Sequence, residues 1–162
     1  HRDLHSFPTR RSSDLPLRTP TDVKAMKTAY QEGVIDCIVS HHYPLTTEEN
    51  DVEFLYAPFG NSTLEILVGV VLDIFYHEMK MPLLDIARRQ SILTREILGV
   101  PGGGFKPGDP ADFTIIDLNK EWTVDVRKFK SKGKNCALNG KRLRGAPVYS
   151  VIGGTVHRAI GY

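Results

Sequence analysis

A glycine- and proline-rich stretch, GVPGGGFKPGDP at residues 99–110, divides the sequence into two parts of different character. Before it, long segments show the helical period of apolar residues, and after it come short runs rich in β-branched and aromatic residues, which predict strands. The stretch lacks the Lys-Ser/Thr pair and the following helix of a phosphate-binding loop. We therefore expect an interdomain linker between a helical unit and a β-rich unit.

The first helix is predicted over TPTDVKAMKTAYQEG, residues 19–33. Thr19 suits the N-cap, Pro20 suits the first helical position, and Gly33 suits the C-terminal stop. The spacing places Val23, Met26 and Tyr30 on one apolar face. The following run, VIDCIVS at residues 34–40, predicts a short strand of the kind that is buried on both faces of a parallel sheet.

Two further helices are predicted over residues 62–78 and 81–99, after a long loop without a clear period. In the first, Ser62 and Glu65 have the spacing of a capping box, and the rest is apolar almost all round, which is typical of a helix buried on several sides. In the second, we expect an inward set and an outward set of side chains. The inward set is Leu84, Ala87, Ile92 and Leu98, and the outward set is Arg88, Arg89 and Arg95.

The tail predicts four strands, and a tight hairpin at Gly153-Gly154 joins the last two. The runs are ADFTIIDL, EWTVDV, APVYSVI and TVHRAI. Strands with one apolar face each need a further sheet or domain to cover them. We expect His77 at a helix end and His157 on an outer strand to be surface residues.

The composition, 41% hydrophobic and 25% charged, is that of a soluble domain, and no apolar run is long enough to span a membrane. Cys37 and Cys136 lack the spacing of a zinc knuckle, so we expect both to be reduced thiols. Because the sequence shows no secretion signal, we expect a cytoplasmic protein. The net charge of +2 does not imply a polyanion partner. The cluster Lys128, Lys130, Lys132 and Lys134 is interpreted as a solvated loop, with nucleic-acid binding the less favoured alternative.

The first fifteen residues, HRDLHSFPTRRSSDL, fit neither helical nor strand periodicity. They resemble, residue for residue, one reading frame of a DNA adapter used in short-read sequencing. We therefore expect residues 1–15 to be non-native, and we exclude His1 and His5 as ligands. The native chain is expected to begin at Pro16, within a longer gene.

Several strings, in this order, resemble the C-terminal end of dihydroorotases of the long bacterial type, relatives of dihydropyrimidinase and allantoinase. The strings are PLR, EGVIDCIVSHHYPLTTEE, EFLYAPFG with TLE, KPGDPADFTIID, EWTVD and SKGKN. The resemblance implies an α/β fold in which residues 16–104 are the end of a (β/α)₈ TIM-barrel amidohydrolase. Residues 105–162 would then be strands of a small composite β-sandwich.

The resemblance also implies a zinc-dependent activity, the interconversion of N-carbamoyl-L-aspartate and dihydroorotate in pyrimidine biosynthesis. Most of the zinc ligands would be supplied by residues before Pro16. The family's Asp-His-Ala-Pro-His pattern aligns with His41 to Leu45. His41 therefore stands where the family has its metal-binding, acid–base Asp, and Leu45 stands where it has a substrate-contacting His. Phe59 and Gly60 match the residues whose backbone holds the pyrimidine ring.

Each of these residues also has a structural interpretation. His41 is a candidate catalytic and metal-binding residue, or else a polar histidine at a strand end. For His42 we favour a partly buried structural histidine that donates to the backbone. Phe59 and Gly60 are substrate-binding candidates, or else they end the loop, with Gly60 at positive φ. Leucine forms no side-chain hydrogen bond, so Leu45 argues against ordinary turnover.

We expect a segment of a dihydroorotase-like zinc amidohydrolase that is itself inactive and binds no zinc, although its parent acts on a small-molecule substrate. One alternative is a non-catalytic homologue that scaffolds aspartate carbamoyltransferase, which His41 and Leu45 favour. A second is a hydantoinase- or allantoinase-type cyclic amidohydrolase, which EWTVD and SKGKN disfavour. A homo-oligomer is possible because the half-sandwich would leave strand edges unpaired; no nucleic-acid or membrane partner is expected.

Overall fold

The computed structural model describes residues 18–53, 56 and 58–159, so the expectation for residues 1–15 lies outside the described residues. Helix α1 spans Pro20–Glu32 and α2 spans Thr47–Asn50. Helix α3 is continuous through Leu64–Ile66, Leu67–Val71 and Leu72–Glu78, and α4 through Leu83–Ala87, Arg88–Leu93 and Thr94–Leu98. The strands are β1 Phe113–Thr123, β2 Arg142–Ile152 and β3 Thr155–Arg158, with a 3₁₀ turn at Val126–Lys128.

Helix α1 begins and ends as its sequence predicts. The Thr19 side chain accepts from the Asp22 amide, and the Asp22 carboxylate accepts from the Thr19 amide in return. Gly33 has φ 86°, the left-handed conformation that ends helices and that glycine adopts without strain. The predicted apolar face is only partly correct, because Tyr30 is buried but Val23 and Met26 are 44% and 59% exposed.

Residues 34–40 do not form the predicted strand: the chain bends at residues 34 and 35, and residues 36–40 have no regular secondary structure. Strand hydrogen bonds require a neighbouring strand, and none of the described strands lies beside this segment. Side chains of α4 meet part of its backbone instead. Arg89 Nη1 donates to the Ile35 carbonyl at 2.9 Å. The side-chain nitrogen of Gln90 donates to the Ile38 carbonyl, and its side-chain oxygen accepts from the Ile38 N–H.

Helix α3 lies between two apolar clusters, as expected for a helix that is apolar almost all round. Ile66 belongs to a sheet-side cluster, and Val71 and Phe75 belong to a helix-side cluster. The other members of the sheet-side cluster are Trp122, Val124, Cys136, Leu143 and Ala146, and those of the helix-side cluster are Tyr30, Met81 and Ile86. Because both clusters share this helix, the helical unit and the β-rich unit pack as one structure.

The predicted capping box of α3 is wrong. The residue that precedes the helix is Thr63, and its side chain makes no capping bond. Ser62 is fully buried and its hydroxyl bonds the Gly133 carbonyl and Asn135 Oδ1, while the Glu65 carboxylate accepts from Ser131. Both side chains therefore bind residues that are distant in sequence, and the spacing of Ser62 and Glu65 alone does not reveal those partners.

The predicted inward face of α4 is also wrong. Ile86 is the buried residue, whereas Leu84 is 83% and Leu98 is 69% exposed. Arg89, predicted outward, is half-buried and lies over the Tyr30 ring, 5.2 Å from its centroid. The face that meets α1 and α3 is therefore rotated from the predicted one.

The sheet has three antiparallel strands in the order β1-β2-β3. The first two predicted strands merge into β1, which pairs irregularly between Asp117 and Glu121, so the prediction of four strands is wrong by one. The hairpin at Gly153-Gly154 is confirmed, with Ile152 paired to Thr155. His157 is exposed on β3 as predicted, but His77 is half-buried and hydrogen-bonds the Leu118 carbonyl at 2.7 Å.

Both cysteines are free, and the four lysines of residues 128–134 are exposed, in agreement with a solvated loop. Across the described ranges, every helix is too short or too polar to cross a membrane.

The packing of α3 on the sheet predicts the effect of replacing Gly69. A Cβ atom at this position would lie 2.6 Å from Trp122 Cζ2, and the indole is itself fixed by a 3.0 Å bond from Nε1 to the Gly145 carbonyl. Overpacking of this kind costs about 1–3 kcal/mol. We therefore expect Gly69→Ala to lower the free energy of unfolding measured in urea, although glycine to alanine stabilises an exposed helix interior by about 1 kcal/mol.

The reverse substitution, Ala25→Gly on the exposed face of α1, serves as the matched control. It should destabilise by about 1 kcal/mol through helix propensity alone. A Gly69→Ala variant more stable than the parent would show that α3 does not pack against Trp122 as described.

Candidate functional site

The candidate residues lie around a site loop, residues 40–46, which follows the irregular segment 34–39. A second segment, residues 129–137 after β1, packs against this loop, and we call it the anchoring segment. It contains the SKGKN string, which the sequence analysis used only as a mark of resemblance. The site is therefore formed where the β-rich unit meets the helical unit.

His42 is a structural residue, as expected, but it accepts from the backbone where we predicted that it donates. Its Nδ1 atom accepts the amide N–H groups of Thr63 and Leu64 at 3.0 and 3.1 Å. These amides open α3 and have no partner within the helix. The imidazole therefore caps α3, the function predicted for Ser62, and fixes the site loop to that helix.

Ser131 and Glu65 complete the surroundings of the His42 ring. Ser131 Oγ lies 3.0 Å from His42 Nε2 and donates to Glu65 Oε2 at 3.0 Å. The Ser131 amide donates to the other carboxylate oxygen of Glu65 at 2.8 Å. The anchoring segment, the site loop and α3 thus share one hydrogen-bond network.

Asn135 forms the second attachment between the anchoring segment and the site loop. Its side chain is 8% exposed, and Oδ1 accepts from the Leu45 amide at 3.0 Å and from Ser62 Oγ at 2.9 Å. The Asn135 carbonyl accepts from the Ser62 amide at 2.7 Å. A buried amide with these partners fixes both the loop and the residue before α3.

Two glycines permit the close approach of these segments. A Cβ at Gly133 would lie 2.6 Å from the backbone N and O atoms of Leu45, and one at Gly60 would lie 2.6 Å from the Tyr43 carbonyl oxygen. Gly60 is not in the left-handed conformation, so the predicted positive φ is wrong. Glycine is required at this position because a side chain would not fit. The Tyr43 amide donates to the Asn61 carbonyl at 3.0 Å, which holds the two segments close together.

The candidate residues differ widely in exposure. His41 is exposed and has φ 44°, a left-handed conformation that is uncommon for a residue with a side chain. Phe59 is 50% exposed, whereas Leu45 is 5% exposed and its Cδ1 atom lies against Gly60. The site loop therefore presents His41 outward and directs Leu45 inward, and Phe59, outside this loop, is also exposed.

The described residues do not fit a zinc ion by themselves. A structural zinc site has four ligands and a catalytic site has three from the protein. Within the described ranges, no three His, Cys, Asp or Glu side chains are grouped so that they could hold a metal. Both ring nitrogens of His42 are already hydrogen-bonded, which leaves His41 as the donor that the site loop offers.

Electrostatic perturbations near the anchoring segment have structural causes. Burial raises the pKa of the Cys136 thiol, which suits a packing residue of the sheet-side cluster and not a nucleophile. A side-chain hydrogen bond from Arg127 lowers the pKa of the half-buried Asp125 carboxyl to about 2. Neither group belongs to the site loop.

The sequence analysis missed Ser131, Gly133 and Asn135 as structural determinants of the site. A signal was present, since residues 128–135 alternate strictly between lysine and other residues. The lysines are exposed, and Phe129, Ser131, Gly133 and Asn135 are half-buried or buried. An extended segment has this period of two, so the alternation indicates a chain with one face packed against the protein.

Comparisons of sequence find relatives over most of the chain. It is 38% identical over 141 residues to a dihydroorotase of Pelotomaculum thermopropionicum, a match that covers 87% of this chain and 33% of that protein. It is 35% identical over 153 residues to a dihydroorotase of Geotalea daltonii, with 94% and 36% covered. The chain thus spans about a third of the length of these relatives. No profile of a known protein family matches it.

Comparisons of structure agree on the fold. An L-hydantoinase (dihydropyrimidinase) from Arthrobacter aurescens superposes with a TM-score of 0.83 at 24% identity, covering 95% of this chain and 35% of that one. A dihydropyrimidinase from Brevibacillus agri also gives 0.83, at 16% identity, covering 94% and 36%. The mixed α/β arrangement described above is therefore the fold of the matching third of these enzymes.

The buried contacts of Asn135 predict a large loss of stability on truncation. In Asn135→Ala, the buried Leu45 amide loses its acceptor, while the Ser62 hydroxyl keeps only its bond to the Gly133 carbonyl, and the change should cost about 1–3 kcal/mol. The measurement is the free energy of unfolding in urea. Asn139→Ala is the matched control, because Asn139 is exposed and its Oδ1 accepts a 3.2 Å hydrogen bond from the Val126 amide at the surface. Equal losses in the two variants would contradict the described anchoring.

Proposed function

The chain belongs by sequence with the dihydroorotases, about a third of whose length it matches, and on that premise we propose that it is part of a cyclic amidohydrolase. In this proposal, residues 16–104 are the end of the catalytic barrel and residues 105–162 are strands of an adjoining β-sandwich. The observation that carries the proposal is the site loop. It follows the largely apolar segment 34–39, in the place where the catalytic loops of barrel enzymes follow strands, and hydrogen bonds to Asn135 and through His42 hold it in place.

The reaction proposed for the complete protein is the interconversion of N-carbamoyl-L-aspartate and dihydroorotate in pyrimidine biosynthesis. Such chemistry requires an activated water, stabilisation of the developing oxyanion, and a group that transfers a proton to the leaving nitrogen. Zinc is the cofactor that the resemblance implies, with ligands from residues outside this chain. Since the described residues do not hold a metal by themselves, no step of the reaction is assigned to them through it.

Within this proposal, His41 occupies the acid–base and metal-binding position, and Phe59 and Gly60 hold substrate through their backbone. Two features support the view that the chain itself does not turn over substrate. His41 has an imidazole where a carboxylate is expected, and it brings no negative charge. Leu45 is buried and cannot hydrogen-bond a substrate.

A second candidate function is that of a non-catalytic homologue that scaffolds aspartate carbamoyltransferase. The same two residues, His41 and Leu45, favour it, because a scaffold retains the fold while its catalytic positions change. A third candidate is a hydantoinase- or allantoinase-type enzyme, since solved structures of that kind share the fold. The dihydroorotase-like strings EWTVD and SKGKN argue against it, and SKGKN is the segment that anchors the site loop.

The proposal includes three further properties. The parent is cytoplasmic and acts on a small-molecule substrate, as the resemblance implies. A homo-oligomer would cover exposed apolar side chains of the sheet, among which Ile152 and Val156 are 63% and 64% exposed.

A chimera tests the proposed function. Residues 16–159 of this chain replace the matching third of the Pelotomaculum thermopropionicum dihydroorotase, and the chimera is assayed for dihydroorotase activity and zinc content. We expect a folded protein that binds zinc and has kcat/KM reduced at least about 100-fold, the usual scale for loss of a general acid–base residue. The double substitution His41→Asp and Leu45→His should restore much of that loss.

The control is the chimera with Asp51→Asn, a change on the exposed loop that should leave activity as low as before. Full activity of the unsubstituted chimera would contradict the proposed inactivity of this site loop. A folded, zinc-loaded double variant without activity would contradict the dihydroorotase proposal. Activity of that variant on hydantoin would then favour the third candidate, and binding of aspartate carbamoyltransferase without turnover would favour the second.

A further inference from the structure

The hydrogen atoms around His42 can be assigned from its partners. Two amide N–H groups point at Nδ1, from Thr63 and Leu64, and a ring nitrogen that accepts a hydrogen bond carries no hydrogen itself. The proton of the neutral ring is therefore on Nε2. Ser131 Oγ, 3.0 Å away, accepts it, and the serine hydrogen is then free to point at Glu65 Oε2.

The three side chains thus form a chain of hydrogen bonds with one direction, from His42 through Ser131 to Glu65. The Ser131 amide also donates to Glu65 Oε1, so the serine is fixed to the carboxylate at two points. His42 belongs to the site loop, Glu65 to α3 and Ser131 to the anchoring segment. The orientation of the His42 ring therefore depends on a residue that lies 89 positions away in sequence.

We infer that Ser131 and Glu65 are positioning residues for the site loop: they hold the His42 ring, whose tautomer the Thr63 and Leu64 amides set, in one orientation, so that His41 is the imidazole which the loop presents to a ligand. This inference rests on the proposed function only in taking residues 40–46 as the catalytic loop. It assigns different roles to the two adjacent histidines. His42 stabilises the fold through its hydrogen bonds, and His41 is the histidine that could bind a ligand.

The backbone at His41 gives this arrangement a consequence. Its φ of 44° is uncommon for a non-glycine residue and persists only where neighbouring contacts impose it. On one side is the His42 ring, held as described, and on the other the Tyr43 amide donates to the Asn61 carbonyl at 3.0 Å. Loss of the Ser131 contact should therefore release the backbone of His41 as well as the ring of His42.

The test uses the chain itself, labelled with ¹⁵N, in alkaline buffer. Long-range ¹H–¹⁵N NMR spectra give the tautomer of His42, exchange rates give the protection of its Nε2 proton, and the amide–Hα coupling constant of His41 reports φ. We expect the Nε2-protonated tautomer in the parent. Ser131→Ala should retain that tautomer, because Thr63 and Leu64 still donate, but should speed exchange of the Nε2 proton at least about tenfold, the effect of losing roughly one moderate hydrogen bond.

In Ser131→Ala the His41 coupling constant should also change. Ser131→Thr keeps the hydroxyl and should restore both signals, and Ser91→Ala, on the exposed side of α4, should match the parent. A Nδ1-protonated His42 in the parent would overturn the inference. So would a folded Ser131→Ala variant with unchanged exchange and unchanged coupling. If Ser131→Ala does not fold, the parent tautomer and the threonine variant decide.

These NMR signals do not depend on turnover. A chimera that stays inactive after both substitutions, beside the expected His42 signals, would remove the proposed reaction and leave the positioning of the loop intact. An active double-substituted chimera, beside His42 signals that differ from those expected, would support the proposed reaction and remove the inference about Ser131 and Glu65.

Discussion

The buried side chain of Asn135 is the contact on which the arrangement of the site depends. One oxygen accepts from the backbone of the site loop and from the hydroxyl of Ser62, at the entrance to α3. The Leu45 amide is buried, so without this acceptor it would carry the full penalty of an unsatisfied polar group, whereas the Ser62 hydroxyl would keep its bond to the Gly133 carbonyl. The site loop therefore has its shape because the β-rich unit is present, and its conformation is not a property of residues 40–46 alone.

Helix α3 explains why this attachment is stable. Its two faces enter the sheet-side and the helix-side clusters, so the two units share one core. The same helix offers its first amides to His42 and its Glu65 carboxylate to Ser131. Apolar packing along the helix and polar bonds at its N-terminus thus act on the same interface. A histidine that caps a helix cannot also be a free ligand, and this separates His42 from His41.

Local signals in the sequence predicted local structure well. Thr19, Pro20 and Gly33 defined α1 because capping involves neighbours in the chain, and Gly153-Gly154 defined the hairpin for the same reason. Ser62 and Glu65 failed because their partners, Asn135 and Ser131, are distant in sequence. The strand expected at residues 34–40 failed because a strand requires a neighbour to pair with. At the site, the position of the loop followed from a resemblance, whereas its attachments were visible only in the structure.

The central claim is that the anchoring segment fixes the site loop, and hydrogen exchange of the Leu45 amide in the native chain tests it most directly. The amide donates to a buried asparagine, so it should exchange only through an opening that separates the two segments. The account predicts protection close to that of core amides such as Val124, which lies in the sheet-side cluster. Exchange as fast as that of Glu48, an exposed residue in the first turn of α2, would contradict it.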